Sequence, residues 1–373
     1  MISRRGFGKT LGSLAMASAI GGEAAFAQRG AVHLDAPPGT IWLNANEHPD
    51  GPPTSSMMLM ASAMQVSGRY HYQEFPAFYD LVARSEQFDA SQMLIGAGSS
   101  EILHNAVEVF TSPARPLIVP DPTFEFPSEL AKAAGHPVIS VPLRKDYAAD
   151  VKRLAEEADK AKGGLVYICN PNNPTASITP KEDIAWLVAN LHRDAILLVD
   201  EAYLHFADSP KVDTALGYVR QGKNVIVART FSKIYGMAGL RIGAAYAKPE
   251  FIAKMTPYRN NVIAYVSAQA VIGALSDPTV VPQRRQKMAA TRNALCTWLK
   301  ENKITYIEPH ANFMMIDVGR PAPQVIAKML TKGVAIGRPF PTYPNMIRTT
   351  IGSDQDMAVF RKAFLQVLQG GEA

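Results

Sequence analysis

The chain has 373 residues, of which 47% are hydrophobic and 19% charged, and its formal net charge is +5. A chain of this length can bury one large core and a smaller one, so we expect two domains. The net charge is too small to indicate a nucleic-acid partner. The two cysteines cannot form a disulfide framework, and the eight histidines lack the spacing of a metal site.

The N-terminus has the pattern of a twin-arginine export signal. Arg4 and Arg5 precede a weakly apolar run at residues 11–20, and Ala25-Phe26-Ala27 provides a cleavage site. The run is too short and too rich in small residues to span a bilayer stably. We therefore expect cleavage after Ala27 and a soluble periplasmic protein without membrane contact. A basic tail with no targeting role is the alternative.

From residue 93 the chain alternates apolar runs of strand length with segments of helical spacing. The runs lie at residues 93–95, 117–119, 138–141, 165–168, 195–199, 224–228 and 242–246. Thr179-Pro180-Lys181-Glu182 is predicted to be a capping box that opens a helix through Asn190. The alternation predicts an α/β fold with a mostly parallel sheet covered on both faces. Active sites in such sheets lie at the carboxyl ends of the strands.

Residues 230–241, Thr-Phe-Ser-Lys-Ile-Tyr-Gly-Met-Ala-Gly-Leu-Arg, follow one of these runs. A lysine with a partly deprotonated amine can form a Schiff base with a carbonyl. Thr230, Ser232 and Arg241 would form a dianion pocket beside Lys233, in which the guanidinium makes forked charge-assisted bonds. The segment therefore indicates an aldehyde that carries a phosphate, and a solvated surface lysine is the alternative.

The segment resembles the T-F-S-K-x-x-G-x-x-G-L-R-x-G motif of fold-type I pyridoxal-phosphate enzymes, specifically the class I/II aminotransferases close to histidinol-phosphate aminotransferase. The resemblance covers essentially the whole chain after residue 27. It implies that Lys233 bonds pyridoxal 5'-phosphate (PLP), and that a large domain with a mostly parallel sheet lies beside a smaller α+β domain. It also implies transamination between an amino acid, or a related amine, and a 2-oxo acid.

Two loops after other apolar runs match the same family. Residues 96–101, Gly-Ala-Gly-Ser-Ser-Glu, lead into a helix whose free N–H groups could bind phosphate. The resemblance implies that Ser99 and Ser100 hold the PLP phosphate, and an ordinary turn is the alternative. The rigid turn at residues 120–122 is followed by Phe124, which the resemblance places against the pyridine ring. A core phenylalanine is the alternative for Phe124.

Two further loops complete the expected cofactor site. Residues 170–175, Asn-Pro-Asn-Asn-Pro-Thr, resemble the family's N-P-x-N-P-T-G, with Ala176 in place of glycine. This implies that Asn173 bonds the pyridine 3-oxygen. Asp200 ends the next run, and a carboxylate at the end of a buried strand is costly unless it is paired. The resemblance pairs Asp200 with the pyridinium nitrogen and places Tyr203 at the 3-oxygen, while a helix N-cap is the alternative for Asp200.

The segment at residues 43–52 resembles the family's L-N-x-N-E-N-P-Y-G-P, which folds over the active site. This implies that Asn46 lies on the substrate side. Asp50 stands where histidinol-phosphate aminotransferases have a tyrosine that contacts the substrate phosphate. A carboxylate there would repel a phosphate and attract a cationic side chain. We therefore do not expect histidinol phosphate to be the substrate.

Residues 346–352 resemble the family's R-x-T-x-G, which implies that Arg348 clamps the α-carboxylate of the amino acid. Arg338 is a second candidate, with a structural surface role as its alternative. Tyr70 matches a tyrosine that reaches the PLP phosphate of the neighbouring subunit, although Tyr72 is close enough to be confused with it. A homodimer is therefore expected.

We expect four segments. They are the signal at residues 1–27, an N-terminal segment at 28–52 that joins the small domain, a large PLP-binding domain at 53–248 and a small C-terminal domain at 249–373. The last is predicted to contain a long helix at 283–300, a strand at 313–318, a helix through Lys332 and a final helix opened by Ser353-x-x-Asp356.

The leading hypothesis is a PLP-dependent aminotransferase in which Lys233 moves a proton between the substrate and the cofactor. A PLP-dependent decarboxylase or amino-acid oxidase is the alternative, because these enzymes share the scaffold and the anchors. An α/β periplasmic ligand-binding protein is an alternative of a different class. It also has two domains and an export signal, but it has no need for a lysine beside a phosphate pocket.

Overall fold

The computed structural model describes residues 36–259 and 262–370, so the expected export signal lies outside the described residues. The strands are β1 (Ile41–Leu43), β2 (Met93–Gly96), β3 (Leu117–Asp121), β4 (Val138–Pro142), β5 (Gly164–Cys169), β6 (Ala195–Asp200), β7 (Val225–Thr230), β8 (Gly243–Tyr246), β9 (Phe313–Asp317), β10 (Val334–Ile336) and β11 (Met346–Thr350).

The α-helices are α1 (Thr54–Met64), α2 (Phe75–Ser85), α3 (Ser99–Phe110), α4 (Phe126–Ala133), α5 (Val151–Lys160), α6 (Lys181–Asn190), α7 (Leu216–Arg220), α8 (Pro249–Met255), α9 (Tyr265–Leu275), α10 (Val280–Glu301), α11 (Ala322–Thr331) and α12 (Asp354–Gln369). Across the two described ranges, none of these helices combines the length and the apolar character needed to cross a membrane.

One sheet dominates the described part of the chain, with seven strands in the order β2-β8-β7-β6-β5-β3-β4. β8 runs antiparallel to both its neighbours, and the pairs from β7 to β4 are parallel. Alternate residues of β5 enter two separate cores, Leu165 and Tyr167 in one and Val166 and Ile168 in the other. Burial on both faces explains the unbroken apolar runs. The predicted α/β fold with a mostly parallel sheet is confirmed.

The predicted strands ended too early at the edge of the sheet that carries the site. β3 continues to Asp121, β6 to Asp200 and β7 to Thr230. Asp200 is still in register with Ala228 of β7. The ladder depends on backbone groups, so polar side chains at a strand end do not interrupt it.

The two predicted capping boxes have different outcomes. Ser353 and Asp356 form theirs at the start of α12, where the Asp356 N–H donates to Ser353 Oγ at 3.1 Å. The capping box at Thr179 was wrong, because Pro180 is the N-cap residue of α6 and provides no side-chain bond. The Thr179 hydroxyl instead accepts a hydrogen bond from the Ala149 N–H at 3.1 Å. A tertiary contact therefore takes the group that the local motif would use.

Residues near both chain ends form the remaining pairs of strands. β1 is parallel to β10, with Ile41 in register with Val334, and β9 is antiparallel to β11. The long helix α10 lies against the loop after β6, because buried Arg292 donates to the Phe206 carbonyl at 3.1 Å and to Asp208 at 2.7 Å. The C-terminal elements are thus anchored beside the carboxyl ends of the central strands.

Candidate active site

The amine of Lys233 lies just beyond the carboxyl end of β7. Its Nζ donates to the Ala45 carbonyl at 3.2 Å and lies 5.6 Å from the centroid of the Tyr203 ring. Burial lowers the pKa of Lys233 to about 8, and the positive charges of Arg348 and Arg241 add to this effect. The amine is therefore partly deprotonated near neutral pH, which is the state that attacks a carbonyl. The bond to Ala45 was not anticipated, because a backbone carbonyl carries no sequence signal.

Hydroxyl groups and a guanidinium gather beside the lysine. Thr230 Oγ1 donates to Ser232 Oγ at 2.9 Å, and the Ser232 N–H donates back to Thr230 Oγ1 at 3.1 Å. Arg241 Nη1 reaches Ser232 Oγ at 3.5 Å, and Nη2 reaches the Ala97 carbonyl at 3.4 Å. Nη1 also donates to the Ala238 carbonyl at 3.1 Å. All three acceptors are uncharged, and the contacts to Ser232 and Ala97 are long for a charged donor, so the guanidinium is suited to a stronger acceptor such as a phosphate.

The start of α3 borders the same hydroxyls. Gly98 is its N-cap residue, with φ at +79°, and provides no side-chain cap. A Cβ on Gly98 would lie 2.3 Å from Arg241 Nη2, and one on Gly243 would lie 2.3 Å from the Ser99 nitrogen. The two glycines therefore allow the guanidinium and the helix start, with Ser99 and Ser100, to approach each other. Backbone N–H groups at a helix start and a guanidinium together form a dianion site.

Asp200 is a buried carboxylate at the end of β6, with 2% of its surface exposed. It accepts hydrogen bonds from Tyr167 Oη and from the Ala202 N–H, both at 3.1 Å. Burial raises the pKa of Asp200 to about 6. Within the described ranges, no basic side chain forms an ion pair with it, and a protonated pyridine nitrogen would supply the missing positive charge. Tyr167 was not anticipated, because it is an inward-facing aromatic residue within an apolar run.

Asn173 and Tyr203 also lie at this edge of the sheet. Tyr203 is 5% exposed, its hydroxyl accepts from Asn46 Nδ2 at 3.3 Å, and burial raises its pKa. The side-chain carbonyl of Asn173 accepts from Arg348 Nη1 at 2.7 Å. This bond leaves the amide nitrogen of Asn173 as the group available to a pyridine oxygen.

Phe124 follows β3 and is packed against the core that contains Leu165 and Tyr167, while it remains partly exposed. Its loop is fixed by Asn172, which accepts from Thr123 Oγ1 at 2.7 Å and donates to the Pro122 carbonyl at 3.0 Å. The loop that carries Phe124 is therefore locked to the loop that carries Asn173. These bonds link residues about 50 positions apart and were not anticipated.

Arg348 lies in β11 and is 9% exposed. Its Nη1 binds Asn173, its Nη2 donates to the Asn44 carbonyl at 2.9 Å, and its buried Nε has no hydrogen-bond partner in the described part of the chain. Its Cζ lies 5.6 Å from the ring centroid of Phe313 and 5.3 Å from that of Phe340. Burial lowers the pKa of Arg348 to about 10, so it stays charged at neutral pH. A buried cation of this kind suits a substrate carboxylate.

The other expected residues have different surroundings. Both oxygens of Asp50 accept from Lys287 Nζ at 2.9 Å, so the carboxylate already has a cation. Arg338 forms an ion pair with Glu125. Tyr70 is 69% exposed, and its ring is stacked on Tyr72 with 5.0 Å between centroids. The Tyr70 side chain is thus accessible to another chain.

The residues around Lys233 fit PLP on three observations. The amine has a lowered pKa, the buried carboxylate of Asp200 needs a positive partner, and Gly98 leaves room for the guanidinium beside a helix start. A carbonyl, a basic ring nitrogen and a phosphate are the three groups that would match them.

The family profile of aminotransferase class I and II matches residues 38–364. The histidinol-phosphate aminotransferase of Caldicellulosiruptor saccharolyticus is 31% identical over 334 residues, covering 88% of this chain and 92% of the relative. That of Symbiobacterium thermophilum is 32% identical over 335 residues, covering 89% and 91%.

Solved structures give the same result. A histidinol-phosphate aminotransferase candidate from Erwinia carotovora atroseptica has a TM-score of 0.86 at 30% identity, covering 90% of this chain and 98% of the other. The Sinorhizobium meliloti histidinol-phosphate aminotransferase, in complex with PLP, has a TM-score of 0.83 at 24% identity, covering 93% and 94%. The chain therefore belongs to the class I and II aminotransferase family and is a PLP-dependent aminotransferase with the fold-type I architecture.

Proposed function

We propose that this aminotransferase moves an amino group from an amino acid to a 2-oxo acid, with Lys233 as the residue that bonds PLP and carries the proton. The observation that carries the proposal is the lowered pKa of the Lys233 amine. Burial lowers this pKa to about 8, and the nearby charges of Arg348 and Asp200 act on it in opposite directions. A base near neutral pH is matched to proton transfer at Cα.

The cofactor side has four tasks in this proposal. When bound, PLP supplies the carbonyl and a ring that accepts an electron pair. Asp200 keeps a positive charge on the ring nitrogen, and Phe124 fixes the plane of the ring. Asn173 and Tyr203 donate to the 3-oxygen. The phosphate is held by the helix start and by the hydroxyl and guanidinium groups, which are Ser99, Ser100, Thr230, Ser232 and Arg241.

The substrate side holds the amino acid by its α-carboxylate. Arg348 is the proposed clamp, because it is buried and charged and its Nε has no partner within the described ranges. Asn46 binds Tyr203 and links the N-terminal segment to the cofactor side. Lys233, which receives the proton, donates a hydrogen bond to the carbonyl of Ala45, the residue before Asn46. The N-terminal segment therefore covers the amine and reduces its contact with water.

A second candidate donor is histidinol phosphate, because the relatives at 31% and 32% identity carry that name. Against histidinol phosphate, the tyrosine that contacts the substrate phosphate in those enzymes is replaced here by Asp50, whose carboxylate binds Lys287. A decarboxylase or an oxidase would use the same anchors but would give different products, and the assay for the donor separates them from an aminotransferase.

The test is a single-turnover assay without oxygen, in which amino acids and histidinol phosphate are added one at a time to the protein loaded with PLP. Conversion of the cofactor to its amino form, reversed by a 2-oxo acid, is the expected result and identifies the donor. Carbon dioxide release, or a reaction that needs oxygen, would instead assign a decarboxylase or an oxidase.

We also propose a homodimer in which Tyr70 binds the PLP phosphate of the partner. Its support is the exposure of Tyr70 together with that of Met57, Met58 and Met64 on α1, since exposed apolar groups favour association. Sedimentation should give twice the chain mass, and Tyr70→Phe should weaken PLP binding. A monomer with an intact PLP site would contradict this.

Export by the twin-arginine route remains a proposal that rests on the N-terminal sequence alone. Replacing Arg4 and Arg5 together by lysine should keep the protein out of the periplasm. Unchanged periplasmic recovery would exclude a twin-arginine signal.

A further inference from the structure

One ion pair near the substrate side is used neither by the cofactor nor by the α-carboxylate. Glu125 directly follows Phe124, and its Oε2 accepts a hydrogen bond from Arg338 Nη2. Arg338 Nη1 donates to the Pro339 carbonyl at 3.1 Å. The Arg338 side chain is 25% exposed and that of Glu125 is 45% exposed. The pair therefore joins the loop after β3 to the C-terminal part of the chain at a solvent-accessible position.

The pair lies one aromatic ring away from the proposed α-carboxylate clamp. The Phe340 ring centroid is 4.5 Å from Arg338 Cζ and 5.3 Å from Arg348 Cζ. The charges of Arg338 and Glu125 also act on the pKa of Arg348, in opposite directions. A ligand whose carboxylate binds Arg348 and whose other end passes Phe340 would therefore meet Arg338 and Glu125.

An arginine on the far side of Phe340 from the clamp is normally suited to a second anion on the ligand, because a guanidinium binds carboxylates and phosphates through forked hydrogen bonds. Here the guanidinium already has a carboxylate. An anionic side chain that approaches Arg338 must displace Glu125 or lie beside it, and two neighbouring negative charges repel each other. An uncharged side chain meets neither penalty.

We propose that Glu125 is a specificity-determining residue that occupies Arg338 and selects donors without a second negative charge. This inference rests on the proposed function, since it assumes that Arg348 binds the α-carboxylate. Glu125 then discriminates between donors by an unfavourable contact with the wrong ligand. This contact matters as much as any attractive contact with the right ligand.

The experiment compares two ligands of the same shape, succinate and its monoamide succinamate, by titration calorimetry on the protein loaded with PLP. The wild type should bind succinamate more tightly. Glu125→Gln should shift the ratio of the two dissociation constants toward succinate by about ten- to a hundredfold, because the repulsion is lost while Arg338 becomes available. Glu108→Gln, at an exposed position of α3, is the matched control and should leave the ratio unchanged.

The double variant Glu125→Gln/Arg338→Gln separates the two charges. It should lose most of the gain in succinate binding, because the guanidinium that binds the second carboxylate of succinate is gone. A ratio that stays at the wild-type value in Glu125→Gln, with an unchanged melting temperature, would overturn the inference. A gain that persists in the double variant would also overturn it, because Arg338 would then have no part.

The same variants distinguish this inference from the proposed function. The ratio of ligand affinities does not depend on turnover, so it can change even if no amino acid is converted. Conversion of uncharged donors with an unaltered ratio would leave the transaminase assignment in place and remove only the role of Glu125.

Discussion

The cofactor side and the substrate side of this site are built from different kinds of segment. On the cofactor side, Asp200 is the last residue of β6, and Asn173 and Lys233 lie in the loops that follow β5 and β7, so three adjacent strands position them. On the substrate side, Arg348 in β11 bonds the carbonyl of Asn44, 304 residues earlier in the chain. The first set depends on one rigid sheet, whereas the second depends on contacts between the two ends of the chain.

The difference predicts where substitutions act. Changes on the sheet should alter the chemistry and leave binding of the amino acid largely intact. Changes at the junction of the chain ends should weaken ligand binding and selectivity. A sheet variant that changed only ligand binding, or a junction variant that changed only the chemical step, would contradict this division of roles.

Lys233→Ala should have the largest effect and remove nearly all turnover, because no other amine would bond PLP or carry the Cα proton. PLP should still bind, although more weakly, through the protein groups that hold its phosphate. The measurement is single-turnover conversion of the donor. Lys223→Ala, at an exposed position before β7, is the control and should retain normal rates. Normal turnover in Lys233→Ala would refute the assignment.

Asp200→Asn should lower kcat by about 10²–10³-fold, or about 3 kcal/mol in barrier, because the charge that stabilises the ring nitrogen is lost while the shape is kept. The KM for the donor should change little, since Asp200 is on the cofactor side. Steady-state kinetics check this, and a change confined to KM would contradict it.

Arg348→Lys should lower kcat/KM for the donor by about ten- to a hundredfold, because a lysine cannot make the forked bonds to a carboxylate. Most of the loss should appear in KM, in contrast to Asp200→Asn. Arg320→Lys is a suitable control, since its partner is the Leu368 carbonyl near the end of α12. Equal losses in the two arginine variants would indicate a general structural effect.

The pH dependence of cofactor uptake should show the smallest effect. Burial lowers the pKa of Lys233 to about 8, so the uncharged amine should increase about tenfold per pH unit below that value and level off above it. Stopped-flow absorbance of the protein without cofactor, mixed with PLP, measures the rate. A short lysine peptide provides the reference. A protein profile that follows the peptide, with its inflection near the ordinary lysine value, would contradict the lowered pKa.

The sequence was sufficient for the sheet and for the position of the polar loops at its edge, because each apolar run and the polar residues after it are contiguous. It was not sufficient for contacts that link distant segments. Tyr167, which bonds Asp200, looked like any core residue, and the bond from Lys233 to the Ala45 carbonyl has no side-chain signature.

Charge pairing was the other feature that single motifs did not reveal. Asp50 was expected to attract a cationic substrate, yet Lys287 lies 237 positions later and binds both its oxygens. Arg338 was considered as a carboxylate clamp without its partner Glu125, which is 213 positions earlier. The chemical type of a residue can be read locally, but whether its charge is paired in the fold depends on residues far away in the sequence.

The most direct measurement is to reduce the PLP-loaded protein with sodium borohydride, which fixes the cofactor to the amine that holds it, and to map the modified peptide by mass spectrometry. Our account predicts a single phosphopyridoxyl group on Lys233. Its loss after prior incubation with a converted amino acid would show that the donor displaces this bond. A label on another lysine, or none at all, would contradict the assignment of Lys233 and the mechanism built on it.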